Sequence, residues 1–140
     1  MMKTLYETTI SNTGGRSGVV QSPDSVFMLE VATPPELGGK QTTATNPEQL
    51  FAAGYSACFN SALEYQLKKS NVEIEKSTVT ATVMLKTDPA DNGVKLEVEL
   101  EVKIEGLDEE TAHKYVKLAH DYCPYSKAIK GNVNVTVSVA

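Results

Sequence analysis

From Asn46 to Lys69 the chain carries its longest helical signal and its most apolar one, NPEQLFAAGYSACFNSALEYQLKK. Asn46 suits the N-cap, Pro47 the first turn, where its missing N–H costs nothing, and Gln49 the place of a capping-box partner. A start one residue earlier, with Thr45 as the cap and Glu48 as its partner, fits equally well. Phe51, Tyr55, Cys58, Ala62 and Tyr65 follow at spacings of four and three, which puts them on one face and predicts that Cys58 is covered. Leu50, Ala53, Ala57 and Leu67 leave the helix little polar surface, so a sheet or a second subunit must enclose it.

Before this helix, residues 4–10 and 17–21 read as short strands around the turn signal Asn12-Thr13-Gly14-Gly15. After a Ser22-Pro23-Asp24 turn, Val26 to Val31 reads as a third strand, and Thr33 to Thr45 as a long polar connection. Beyond the helix, Glu73 to Lys86 alternates, with Val79, Ala81, Val83 and Leu85 on one side. Asp88 to Gly93 signals a reversal. Val94, Leu96, Val98, Leu100, Val102 and Ile104 then alternate with charged residues, the pattern of a strand with one wet face. The two strands are expected to pair as an antiparallel hairpin whose dry face meets the helix. Gly106-Leu107-Asp108 caps a second helix, whose covered positions Ala112, Val116 and Ala119 lead to Cys123. Pro124 disfavours the α conformation at Cys123 and so ends that helix or starts a new turn. One or two further turns reach Gly131, and Val133, Val135, Val137 and Val139 form a closing strand.

The chain's 140 residues fit a single domain, 1–140, or two small lobes sharing one core. A net charge of −5 argues against nucleic acid or an anionic membrane as the main partner. No signal-peptide pattern opens the chain and no apolar run approaches the roughly 20 residues needed to span a bilayer, so the expectation is a cytoplasmic protein.

Two cysteines, Cys58 and Cys123, are too few for a disulfide scaffold and enough for one redox pair. Inert burial of both remains open. Apolar surroundings would raise the Cys58 pKa, so reactivity there requires a cation or hydrogen-bond donors, whereas Cys123 stands where free N–H groups of a short helix favour a thiolate. Joining His113 and His120 to the cysteines would make a metal site, but no Cys-x-x-Cys or His-x-x-x-His pair advertises one. Arg16, the only arginine, follows two glycines, and its planar fork can hold a carboxylate on one side and an oxyanion on the other. Glu48 lies ten residues before Cys58, about 15 Å along the axis and roughly 80° around it, so the two cannot touch through the helix alone. A bridging group is needed, and Arg16 is the obvious one.

Gly14-Gly15-Arg16, Glu36-Leu37-Gly38-Gly39, the run from Thr45 to Phe59, Ala119-His120, Cys123-Pro124-Tyr125-Ser126 and Gly131-Asn132 together closely resemble the organic hydroperoxide resistance proteins, a branch of the family that includes osmotically induced peroxidases. The resemblance runs nearly end to end. It implies an α+β fold, with antiparallel sheets enclosing a long central helix in an intertwined homodimer. It also implies a cysteine-based organic hydroperoxide reductase in which Cys58 attacks the peroxide, Cys123 resolves the product as a disulfide, and Arg16 and Glu48 form an ion pair beside the reactive sulfur. No bound cofactor or metal is implied. Dihydrolipoyl groups on a lipoylated protein would be the external reductant. Phe51, Tyr55 and Phe59 could line a pocket for the organic group or simply pack the core. The alternative reading is a nonenzymatic thiol redox sensor or small-molecule binding protein using the same pair.

Overall fold

The computed structural model describes all 140 residues, which form two compact units, Met1–Leu50 and Phe51–Ala140. In the first, β1 (Ser11–Thr13), β2 (Gly18–Gln21) and β3 (Met28–Val31) make an antiparallel sheet in that order. The β1–β2 turn is closed by Asn12, whose Oδ1 accepts the Gly15 N–H at 3.0 Å and whose Nδ2 donates to the Val19 carbonyl at 3.1 Å. Gly14, at φ 90°, occupies a conformation that a side chain would strain. This turn presents Arg16.

The strand expected over residues 4–10 is not formed; pairing begins only at Ser11. A strand needs a partner for its backbone groups, and the chain supplies none there, leaving Leu5 88% exposed. The third strand also starts later than Val26. Ser22 and Phe27 close the preceding loop by exchanging bonds, Ser22 N–H to the Phe27 carbonyl at 2.9 Å and Phe27 N–H to the Ser22 hydroxyl at 3.0 Å. After a short 3₁₀ turn at Pro35–Leu37, the connection returns beside β3, where Ala32 N–H donates to Thr45 O at 2.9 Å and Thr45 N–H to Glu30 O at 3.0 Å. That return brings Glu48 to the sheet carrying Arg16.

Helix α1 (Pro47–Lys69) has its first turn in the first unit and the rest in the second. Asn46 is the cap, its Oδ1 accepting the Gln49 N–H at 2.8 Å. The second unit continues with β4 (Lys76–Asp88), β5 (Gly93–Glu105), α2 (Glu109–Tyr122), α3 (Pro124–Ile129) and β6 (Asn134–Val139). The expected hairpin pairs along its whole length, from Lys76↔Glu105 to Asp88↔Gly93. Because α2 and α3 carry the chain back across, β6 joins β5 in parallel.

The core is shared by β5 (Val98, Leu100, Val102, Ile104), α1 (Tyr55, Phe59, Ala62, Leu63, Leu67) and α2 (Ala112, Tyr115, Val116, Ala119). Each large side chain so buried contributes about 1.5–3 kcal/mol. The opposite sheet face, with Thr78, Thr80, Thr82, Glu99 and Glu101, is exposed. The architecture is α+β. The buried stripe of α1 overlaps the expected one at Tyr55 and Ala62 but is rotated from it: it continues through Phe59, Leu63 and Leu67, while Tyr65 is 46% exposed and stacks on Tyr122 with ring centroids 4.8 Å apart. Cys58 consequently sits at the stripe's edge and is half-buried rather than covered. No helix is long and apolar enough to cross a membrane.

Candidate active site

In the first unit Arg16 and Glu48, 32 positions apart, meet fork to fork. Nη1 donates to Oε1 at 2.8 Å and Nη2 to Oε2 at 2.7 Å. The hydrogen bonds, ahead of the bare charge, raise the guanidinium pKa above its ordinary value, and those from Arg16 hold the Glu48 carboxyl below its own. Two of the guanidinium's five N–H donors are thereby committed, and three remain.

In the second unit Cys58 comes from the middle of α1, and Cys123 stands at the joint between α2 and α3, both as free thiols. Pro124 has the effect expected of it: Cys123 is extended, at ψ 124°, so it ends one helix and precedes the next. Cys123 is fully buried, and the two thiols lie close enough for Cys123 to raise the Cys58 pKa. Of the free N–H groups that open α3, that of Tyr125 acts on the other cysteine, favouring the Cys58 thiolate. Burial pushes the Cys58 thiol pKa up, and Cys123 adds to that, while the Tyr125 N–H pulls it down. A cation is what this sulfur needs to become a thiolate near neutral pH.

Aromatic side chains flank the pair. Phe51 packs edge-on against Tyr55 and Tyr125, each at 6.1 Å between centroids. Tyr55 and Phe59 belong to the core, whereas Phe51 is half-buried and Tyr125 is 37% exposed, so those last two are the rings an apolar substrate could reach. The Tyr125 ring lies over Gly54, where an added Cβ would fall 2.4 Å from its hydroxyl.

His120 faces the joint between α2 and α3. Its Nδ1 lies 2.9 Å from the Ser126 hydroxyl, which lies 2.6 Å from the hydroxyl of fully buried Tyr55. The available signal was a serine three residues after Cys123 and a histidine three before it. His113 points elsewhere, 3.7 Å from Glu109 on the exposed side of α2, and no three His, Cys, Asp or Glu side chains are gathered as metal ligands.

Comparison with known proteins bears on all of these residues. A family described as OsmC-like protein matches residues 38–138. The organic hydroperoxide resistance protein OhrA of Bacillus subtilis is 50% identical over 141 aligned positions, covering 100% of this chain and 99% of that protein. An organic hydroperoxide resistance protein-like 2 of Staphylococcus epidermidis is 47% identical, covering 99% and 98%. The crystal structure of an organic hydroperoxide resistance protein OsmC from Legionella pneumophila superposes with a TM-score of 0.93 at 46% identity, over 99% of both chains. With a family match across most of its length and relatives this similar from end to end, the chain belongs to the OsmC-like family, in its organic hydroperoxide resistance branch.

Proposed function

We propose that this protein reduces organic hydroperoxides to alcohols by a two-cysteine cycle. The Cys58 thiolate attacks the distal peroxide oxygen; the O–O bond breaks, an S–O bond forms, and the alkoxide leaves as the alcohol after taking a proton. The Cys58 sulfenic acid then condenses with the Cys123 thiol, forming the S–S bond and releasing water. A dithiol, assigned here to a dihydrolipoyl group on a protein partner, reduces the disulfide by two successive exchanges and returns both cysteines to thiols.

The observation that carries this reading is the proximity of two free thiols that lie 65 positions apart in the chain, near enough for one to shift the pKa of the other. A disulfide needs Cα atoms within about 7 Å, and a pair this close requires little motion to reach it. Arg16 is assigned the charge role: its remaining donors would stabilise the thiolate and the developing negative charge on the peroxide oxygens, with Glu48 fixing the fork. Phe51 and Tyr125 are assigned to the organic group of the substrate.

The acting species in this proposal is an intertwined homodimer, each chain serving as one functional domain in a reducing, cytoplasmic setting. Support comes from the apolar residues that a single chain leaves uncovered, among them Leu5, Tyr6, Val26 and Phe27 in the first unit and the Tyr65–Tyr122 stack in the second. Turnover of an organic hydroperoxide and of hydrogen peroxide, measured under dihydrolipoamide for the unmodified protein and Cys58→Ser, tests the function. Preferred turnover of the organic substrate, abolished by the substitution, is expected. No turnover of either peroxide would remove the enzyme reading, and an active Cys58→Ser would remove Cys58 from it.

A further inference from the structure

Charge is unevenly spread along the chain. Beyond Glu110 it holds four lysines, Lys114, Lys117, Lys127 and Lys130, against the single acid Asp121, a formal charge of +3 within a total of −5. All four lysines are exposed, but the fold sorts them into two kinds. Lys114 lies over the Tyr115 ring, 5.5 Å from its centroid, and Lys117 stands 3.9 Å from Asp121. Lys127 and Lys130 have no carboxylate within ion-pair distance, and both line one cavity of about 500 Å³ between the end of α2, α3 and the start of β6. The only acid on its wall is Asp121, the one Lys117 already holds, and half-buried Ile129, Val133 and Val135 supply its apolar lining. The cavity opens at the joint that carries Cys123, since Ser126, three residues further on, is part of its wall.

We propose that this cavity is the docking surface for the reducing partner, and that it recognises an acidic stretch of protein around the lysine that bears the dihydrolipoyl group. The proposal deepens the peroxidase reading and rests on it for the partner's task. Two cations without a partner, in a chain that is acidic elsewhere, draw carboxylates to this one place while the rest of the surface repels them. Charge at the rim of an interface acts mostly on the rate of encounter, which suits a partner that must arrive, exchange disulfides and leave at each turnover. The apolar lining favours protein over nucleic acid as the occupant, because it can cover an aliphatic side chain beside the two ammonium groups, whereas a phosphate backbone would leave it unused.

The test measures binding to the reduced protein without peroxide, so its failure and that of the peroxidase reading are separable. The probe is a fluorescent peptide in which a lysine carries an octanoyl chain, the length of the lipoyl arm without its sulfur atoms, flanked by glutamates in one version and by glutamines in the other. Affinity is read by fluorescence anisotropy at about 20 mM and about 0.5 M salt, conditions that keep and remove attraction between charges at a distance. In the unmodified protein the glutamate peptide is expected to bind roughly tenfold more tightly than the glutamine peptide at low salt, and the gap to close at high salt. Lys127→Gln combined with Lys130→Gln should remove the gap. Lys68→Gln combined with Lys69→Gln takes the same charge from the end of α1 and should keep it, which separates a local surface from net charge. Equal affinity for the two peptides in the unmodified protein, a gap that survives the loss of Lys127 and Lys130, or one lost equally with Lys68 and Lys69 overturns the proposal. A single-stranded oligonucleotide of the same charge that binds as tightly as the glutamate peptide would overturn it too, in favour of a general polyanion surface.

Discussion

Replacing Gly54 with alanine sets two effects of similar size against each other. The helix gains, because alanine is preferred to glycine in a helix interior by about 1 kcal/mol. The new Cβ, however, would lie 2.4 Å from the Tyr125 hydroxyl and 3.0 Å from Cζ, where ordinary contact begins near 3.4 Å. The ring must yield, and it can, being partly exposed; what it loses is packing on Tyr55 and Phe51, worth about 0.5–1.5 kcal/mol for an aromatic pair. The stability change of Gly54→Ala is therefore expected to stay within about 1 kcal/mol of zero by urea unfolding. Function should not be so tolerant, since the displaced Tyr125 ring is one of the two reachable rings. Turnover of a bulky organic hydroperoxide should fall by about two- to tenfold, the cost of one aromatic contact, and by less for hydrogen peroxide. Unchanged turnover with native stability would refute the placement of Tyr125, and a loss of several kcal/mol would refute the claim that its ring can move aside.

Cys123→Ser should consume about one equivalent of hydroperoxide and then stop, with a sulfenic acid trapped on Cys58 by a dimedone adduct; continued turnover would exclude Cys123 from resolution. Leu63→Ala, at a fully buried α1 position facing the core, should cost about 2–5 kcal/mol in urea unfolding. Glu48→Gln tests the ion pair through pH. The Glu48 pKa is lowered in the folded chain, so its contribution is present above the unfolded carboxylate value and is lost as pH falls through the lowered one. With Arg16 about a third exposed, the stability gap between the two proteins should be about 1 kcal/mol near neutral pH and should close in acid.

Much of the second unit was legible because its signals are local. Strict alternation from Val94 to Ile104 requires a two-faced strand, Asp88 to Gly93 can only reverse the chain, and Asp108 caps α2 through the Thr111 N–H at 3.0 Å. The face of α1 was legible in part, and its composition is the reason. Of the stripe through Phe51, Tyr55, Cys58, Ala62 and Tyr65, Tyr55 and Ala62 are buried and Phe51 and Cys58 lie at the core's margin, but spacings of four through Tyr55, Phe59, Leu63 and Leu67 fit a helix equally well, and only packing on β5 turns Phe59, Leu63 and Leu67 inward and leaves Tyr65 out. Residues 4–10 alternate acceptably, but a strand also needs an edge to join. At the candidate site, the Arg16–Glu48 contact spans 32 positions and the approach of the two thiols 65, separations at which a sequence carries no geometric signal. Resemblance to a known family suggested those pairings. Nothing local marked the Tyr55–Ser126–His120 chain, whose members become neighbours only when α1, α2 and α3 pack together.

The most direct test of the two-cysteine cycle is the covalent state of the protein after one equivalent of organic hydroperoxide, read by mass spectrometry of an unreduced digest. The cycle predicts one peptide pair per chain joined through Cys58 and Cys123, formed within a single chain and lighter by two hydrogen atoms than the separate thiols. Hydroperoxide consumed while both cysteines remain thiols, or a bond formed only between chains, would contradict it.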